Sequence, residues 1–310
     1  KPARASSGPA QKTGYAKTFA AQPVGSSAEL VMVEADLTRG LHNFAVVGLP
    51  DKAVEEARDR VSAAIRHSGF KSPKQQNKRI VLSLSPADLK KEGSHYDLAL
   101  AIAYLIAAGE LSAAAGANLF VGELALDGAL RSSRGVLPQV LAAKKRGLKT
   151  VFVPPHNAQE ALLVEGIAVY APQTLAELVA HVKKEKTLPK LTRSRVKAAP
   201  PPSVDLSDIK GQESAKRALE IAAAGRHNVV FYGPPGTGKT MLARALSGIL
   251  PPLTDEDMLE VTAIHSTAGL LSDGTAMHWP PFRAPHHSTS HVAMVGGGAF
   301  PKAGEVTLAH

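Results

Sequence analysis

Cysteine is absent from the 310 residues, which rules out disulfides and thiolate metal sites. Aromatic residues make up only 5% of the chain. They are not interleaved with basic ones, so a base-stacking platform for nucleic acid is not indicated. No apolar run is long enough to span a bilayer, since Leu98 to Ala108 is too short. The polar start, Lys1-Pro2-Ala3-Arg4-Ala5-Ser6-Ser7-Gly8-Pro9, lacks the apolar segment of a signal peptide. A cytoplasmic location without membrane contact is the expectation. No internal repeat is visible.

What is present is an ordinary apolar content of 44% and a net charge of +9. The first permits a sizeable core, the length suggests about two domains, and the charge permits contact with a polyanion. Much of the charge is local. Lys183, Lys184, Lys186, Lys190, Arg193, Arg195 and Lys197 stand against Glu185 alone. Two readings stay open, a solvated linker and a flexible basic strap that touches phosphates.

The pattern divides the chain into a disordered start (1–13), an α/β domain (14–182), a basic proline-rich linker (183–202) and a second domain (203–310). In the first domain, Leu30–Glu34, Phe44–Val47, Arg79–Ser83, Leu119–Ala125 and Thr150–Val153 read as strands. Lys52–Ser68 reads as a helix with its apolar stripe on Val54, Ala57, Val61, Ala64 and Ile65, capped by Asp51 and closed by Gly69. Tyr96–Ala108 and Gln139–Arg146 are further helices. Alternating strands and helices mean an α/β fold. In the second domain Gln212–Ala224 reads as a helix, and the sequence beyond Pro252 reads as irregular, with Gly296-Gly297-Gly298 as a turn or hairpin tip.

One segment of the second domain carries chemistry. Gly233-Pro234-Pro235-Gly236-Thr237-Gly238-Lys239-Thr240 fits the phosphate-binding pattern G-x-x-x-x-G-K-[ST]. Asn228 to Tyr232 before it reads as a short buried strand. Met241 to Leu250 after it reads as a helix that Pro251 and Pro252 stop. Glycines let backbone N–H groups turn in around phosphate oxygens, and the helix N-terminus adds partial positive charge. ATP phosphates are expected on the backbone from Pro235 to Thr240. Lys239 reaches the β- and γ-phosphates, and the Thr240 hydroxyl ligates Mg²⁺. ATP hydrolysis also needs a later apolar strand ending in acids, to hold Mg²⁺ and orient water. No such run follows Thr240. Leu30–Glu34 has the right look, but its use would require a permuted core. Binding of nucleotide is therefore expected to exceed its hydrolysis.

Several strings carry a resemblance. GPPGTGKT looks like the AAA+ form of the loop, and Asp208-Ile209-Lys210-Gly211-Gln212 resembles the segment AAA+ proteins place over adenine. Arg283-Ala284-Pro285-His286-His287-Ser288, Val295-Gly296-Gly297-Gly298 and Pro301 to His310 narrow the likeness. So do Val47 to Val54 and Lys91 to Leu98. Together they resemble the magnesium-chelatase-like AAA+ ATPases of the ComM/YifB type, over nearly the whole chain from Gly14. The resemblance implies a Lon-protease-like (ribosomal protein S5 domain 2-like) α/β domain followed by a partial AAA+ P-loop NTPase domain that stops before Walker B. It implies ATP and Mg²⁺ as cofactors, with Gly233 to Met241 plus Ile209 and Gly211 on the nucleotide. For the intact form it implies a hexameric DNA helicase that drives branch migration. Two rivals remain, a chelatase motor that drives metal insertion and a non-enzymatic nucleotide-binding module.

The first domain also looks like the proteolytic domain of Lon at Gly122–Leu130 and Leu141–Val151. Aligned there, the Lon lysine falls on Leu137 and the serine near His95, beside Ser94. An apolar residue cannot take a proton, so the domain reads as non-proteolytic. A dyad of Ser94 with Lys90 or Lys91 is the competing reading, and a helix cap at Ser94 the plain one. His286, His287 and His291 invite a metal, but Pro285 and the nearby Ser and Thr residues favour a loop. Arg283 suits a structural ion pair better than a phosphate contact, and Glu305 is given no catalytic role.

Overall fold

The structure, a computed structural model, describes residues 14–192, 204–271, 275–297 and 302–310. The expected disordered start, the linker from 193 to 202 and the tip at Gly298 lie outside the described residues. The chain divides into two compact units, 1–194 and 195–310. No helix among the described residues is long and apolar enough to cross a membrane.

The first unit opens with a hairpin of β1 (Tyr15–Val24) and β2 (Ser27–Arg39). The register runs from Tyr15↔Asp36 to Val24↔Ser27. Gly25 takes the positive φ of 62° that the first position of a two-residue type II′ turn needs. There follow β3 (Asn43–Val47), α1 (Lys52–His67), β4 (Lys78–Ser85), α2 (Asp97–Ala107), β5 (Leu119–Phe120), β6 (Glu123–Leu124) and β7 (Leu130–Arg131). The unit continues with α3 (Val136–Lys145), β8 (Thr150–Phe152), α4 (Ala158–Ala161), β9 (Ala168–Tyr170) and α5 (Leu175–Val182). The order β3-β4-β2-β1-β5-β8-β9 makes one seven-stranded sheet. It is antiparallel around β2 and parallel elsewhere, so the fold is mixed α/β.

Two expectations need correction here. β1 has no counterpart among the expected strands, because its core face carries Ala16, Thr18 and Ala20, all buried and too small to give a clear apolar alternation. The strand expected at Leu119–Ala125 divides into β5 and β6, since β6 leaves the sheet to pair with β7.

The core lies between the sheet and α2, with α1 packed beside α2. Every residue of α2 is buried, as a helix that is apolar all round beyond its first residue, Asp97, must be inside a fold. Small side chains let sheet and helix approach: Ala16, Ala20 and Ala35 meet a helix carrying Ala99, Ala101 and Ala103. Ala20 and Ala21 point to opposite faces of β1, yet both are fully buried. α3 covers the second face, packing against β1 and β2. Asp51 caps α1 as expected, its Oδ1 accepting from Val54 N at 2.8 Å. Its Oδ2 accepts from Gly93 N at 3.1 Å and fastens the entry to α2.

Part of the expected linker is fixed to this unit. Leu188 is buried, its N–H donates to His181 Nδ1 at 3.0 Å, and Leu191 N donates to Val169 O at 3.0 Å. The Lys183 ammonium sits 5.0 Å from the Phe70 ring centroid. Residues 183–192 therefore continue the domain and are not a free strap.

The second unit contains α6 (Glu213–Gly225), α7 (Lys239–Ile249), α8 (Asp255–Ala268), α9 (His291–Val295), β10 (Gly296–Gly297), β11 (Lys302–Ala303) and α10 (Glu305–Leu308). β10 and β11 pair antiparallel, as a hairpin requires. The helix α8 corrects the irregular reading beyond Pro252. Thr254 caps it, with its Oγ1 accepting from Asp257 N at 3.2 Å, and Asp255, Glu256 and Asp257 fill the first turn. Gly269 closes it in the left-handed conformation, φ 73°.

Candidate nucleotide-binding site

The glycine loop leads into α7 through two left-handed residues, Gly236 at φ 81° and Gly238 at φ 85°. A Cβ on either would meet no atom within 4 Å. These glycines therefore answer a backbone requirement rather than a crowded one. Thr237 Oγ1 closes the loop by donating to Pro234 O at 3.0 Å. None of the described hydrogen bonds uses the backbone N–H of Gly236, Thr237, Gly238, Lys239 or Thr240. The first N–H groups of a helix have no intrahelical acceptor, so an unpaired run of donors collects at the positive end of α7.

Pro234 and Pro235 have no N–H. Within the stretch from Pro235 to Thr240, where phosphates are expected, the backbone donors therefore begin at Gly236. Lys239 closes the mouth of the loop, its Nζ donating to Gly233 O at 2.9 Å and Pro234 O at 2.6 Å. Neither acceptor is a carboxylate, so the charge of the ammonium is not neutralised there. Thr240 and Met241 stand exposed on the first turn of α7.

The run before the loop departs from the expected buried strand. Asn228–Tyr232 belongs to no strand, and Val230 and Tyr232 are 91% and 102% exposed. Val229 and Phe231 are half-buried against Ile209, Leu219, Leu242 and Ala245. Alternate residues thus face opposite ways, as in a strand. A strand also needs a partner, and none of the described strands pairs with this one. Ile209 is buried in the same small core, which places it under α7. Gly211 is exposed at the entry to α6, with φ 66°. The preceding turn, Leu206–Asp208, is fastened by a capping box. Ser207 N donates to Asp205 Oδ1 and Asp205 N to Asp208 Oδ2.

A family model described as "Magnesium chelatase, subunit ChlI" matches residues 205–310, and one described as "Subunit ChlI of Mg-chelatase" matches 33–157. The competence protein ComM of Haemophilus influenzae is 46% identical over 294 residues, covering 92% of this chain and 56% of that protein. YifB of Escherichia coli is 44% identical over 290 residues, covering 93% and 56%. A Mycobacterium tuberculosis relative is 47% identical over 300 residues, covering 95% and 58%. The chain belongs to the magnesium-chelatase-like family of ComM and YifB. It spans somewhat over half the length of these relatives.

An archaeal Lon protease of Thermococcus kodakarensis is 40% identical over 60 residues, which is 19% of this chain. In this ComM/YifB-family chain Ser94, Lys90 and Lys91 each have another partner. Leu137 is buried in α3. Ser94 lies in a short turn before α2 without capping it, and its hydroxyl donates to Glu123. Lys91 is fully buried with its ammonium on Pro86 O, and Lys90 pairs with Glu92 at 2.8 Å. The neighbouring His95 is buried with Nε2 unpaired, and burial lowers its pKa to about 4. Asp97 is held by Arg60 at 2.7 and 3.0 Å and also accepts from Leu124 N.

The family strings of the second unit are joined by one ion pair. Arg283 forms a two-point pair with Glu305, both contacts at 2.7 Å. The Arg283 guanidinium holds the Glu305 carboxyl below its usual range. The expected ion pair for Arg283 is thus present, and sequence alone could not name its partner. His286 Nδ1 is 2.7 Å from Ser288 Oγ and its ring 4.1 Å from that of His287, while His291 opens α9.

Proposed function

We propose that the second unit binds ATP with Mg²⁺. The carrying observation is the unpaired N–H run from Gly236 to Thr240 beside an ammonium whose described partners, two carbonyls and the Thr237 hydroxyl, are all uncharged. Phosphate oxygens supply what both lack, charged acceptors. Lys239 exchanges the carbonyls of Gly233 and Pro234 for phosphate. Thr240, exposed on the first turn, is the hydroxyl ligand for Mg²⁺. Gly233 to Met241 line the phosphates, with Ile209 and Gly211 on the adenine side.

Bound Mg²⁺ supplies neutralisation of phosphate charge. The proposal made for this chain is binding. ATP-driven movement on branched DNA, in a hexamer, is proposed for the whole protein as what the family resemblance implies; the relative's name itself says only competence. The first unit is proposed to be a Lon-like domain without peptidase activity, because Ser94 is engaged by Glu123 and Leu137 stands where the base would be. The family models named for a chelatase subunit favour a second reading, a motor for metal insertion. Salt-sensitive binding to branched DNA supports the first reading and argues against the second.

The binding proposal is tested by titrating a non-hydrolysable ATP analogue with Mg²⁺ into the whole chain. Saturable binding that Lys239→Ala weakens roughly 10- to 100-fold is the expected result. Equal binding by wild type and variant sinks it.

A further inference from the structure

The first unit carries a basic pocket that nucleotide binding leaves unused. It lies where β2 ends and β4 begins, with a volume of about 630 Å³, in the size range of ligand pockets. Arg39, Lys71 and Lys78 line it against one acid, Glu110. None of the three cations takes part in a described ion pair. Arg39 and Lys78 are also direct register partners across the strands. Like charges placed directly opposite cost stability, and the fold obtains nothing visible in return.

The pocket is braced from below. Tyr104 is fully buried, and its hydroxyl accepts from Gln76 Nε2 at 2.8 Å and donates to Lys71 O at 3.0 Å. Ser72 Oγ donates to Ser62 O at 3.0 Å. The segment that carries Lys71 and Lys78 is therefore pinned at its base, while the charged ends stay available.

We propose that this pocket takes the phosphates of a single-stranded nucleic acid. Unpaired cations side by side on a rigid base suit a polyanion. A concave site of this size admits a flexible strand and keeps out a rigid duplex. No aromatic side chain lines the pocket, so contact is to the backbone and is independent of sequence. The inference draws the source of the anion from the DNA reading above; the site itself stands on its own geometry.

The test uses the whole chain and a fluorescent 30-mer of dT, with affinity measured across a salt series. Arg39→Ala/Lys71→Ala/Lys78→Ala is expected to weaken binding at least tenfold at low salt. It should also flatten the log–log salt slope by about 2, at ~0.7 per lost phosphate contact. Lys144→Ala/Lys145→Ala/Arg146→Ala, which removes the same charge at the exposed end of α3, should change affinity less than twofold. An equal loss in both variants would reduce the effect to net charge and overturn the site. Lys78→Glu, opposite Arg39, should weaken DNA binding while raising the melting temperature. Unchanged binding in that variant overturns the proposal, as does a pocket that takes inorganic phosphate while DNA binding ignores all three cations. If the wild type binds DNA and the first triple variant binds equally, this site alone falls. If the wild type binds no DNA, the DNA reading falls with it.

Discussion

The two units handle their polar groups in opposite ways. Near α2 the first unit gives its carboxylates side-chain partners: Asp97 with Arg60 and Glu123 with Ser94. The second leaves the N–H groups at the start of α7 unpaired and holds Lys239 on uncharged oxygens. The cores differ in the same sense. One packs a seven-stranded sheet against a fully buried helix. The other gathers Ile209, Leu219, Leu242 and Ala245 under a loop with Tyr232 exposed. Family resemblance to a protease therefore does not mark the chemically available site. Unspent hydrogen-bonding capacity does, and for nucleotide it lies at the start of α7.

The sharpest way to break the comparison is to damage one unit and read the other. Leu100→Ala in α2 removes a buried side chain and should cost about 2–5 kcal/mol of first-unit stability by denaturant unfolding, with nucleotide affinity unchanged. Lys239→Ala should do the reverse. Loss of a charge-assisted contact is worth ~1.5–3 kcal/mol, so affinity for Mg²⁺-nucleotide should fall roughly 10- to 100-fold at constant melting temperature.

His95 offers a pH test of the sealed unit. Its ring is kept neutral by burial, with a pKa near 4 against the ordinary 6.5. A depressed histidine contributes stability that is complete above pH 6.5 and is lost as pH falls toward 4. From pH 7 to pH 5 the loss is about 2 kcal/mol. Chemical denaturation at both values should show that loss in wild type and a reduced one in His95→Phe.

The smallest effect is expected at the exposed run before the loop. Tyr232→Ser should change stability by less than ~0.5 kcal/mol, as for an ordinary surface site. Phe231→Ser, one residue away on the covered side, should cost more, because Phe231 packs on the small core. Equal costs would show that the run does not alternate.

Legibility in the sequence followed the strength of local signals. α1 was readable in full because Asp51, the apolar stripe and Gly69 agree on one helix. The loop was readable because its motif fixes residue types at set spacing. β1 was not, since alanine and threonine facing a tight helix leave little hydropathy contrast. α8 had a full cap and an acidic first turn, but the glycine-, proline- and histidine-rich stretch after it obscured them. The basic pocket was invisible for a different reason. Arg39 and Lys78 come together only through the β2–β4 register, which no local pattern states.

The central claim is that the α7 N-terminus holds donors waiting for phosphate. Backbone amide resonances read this directly, followed by ¹⁵N–¹H correlation while Mg²⁺ and a non-hydrolysable ATP analogue are added. The account predicts saturable shifts concentrated on Gly236, Thr237, Gly238, Lys239 and Thr240. Millimolar nucleotide that leaves those amides unmoved would contradict it.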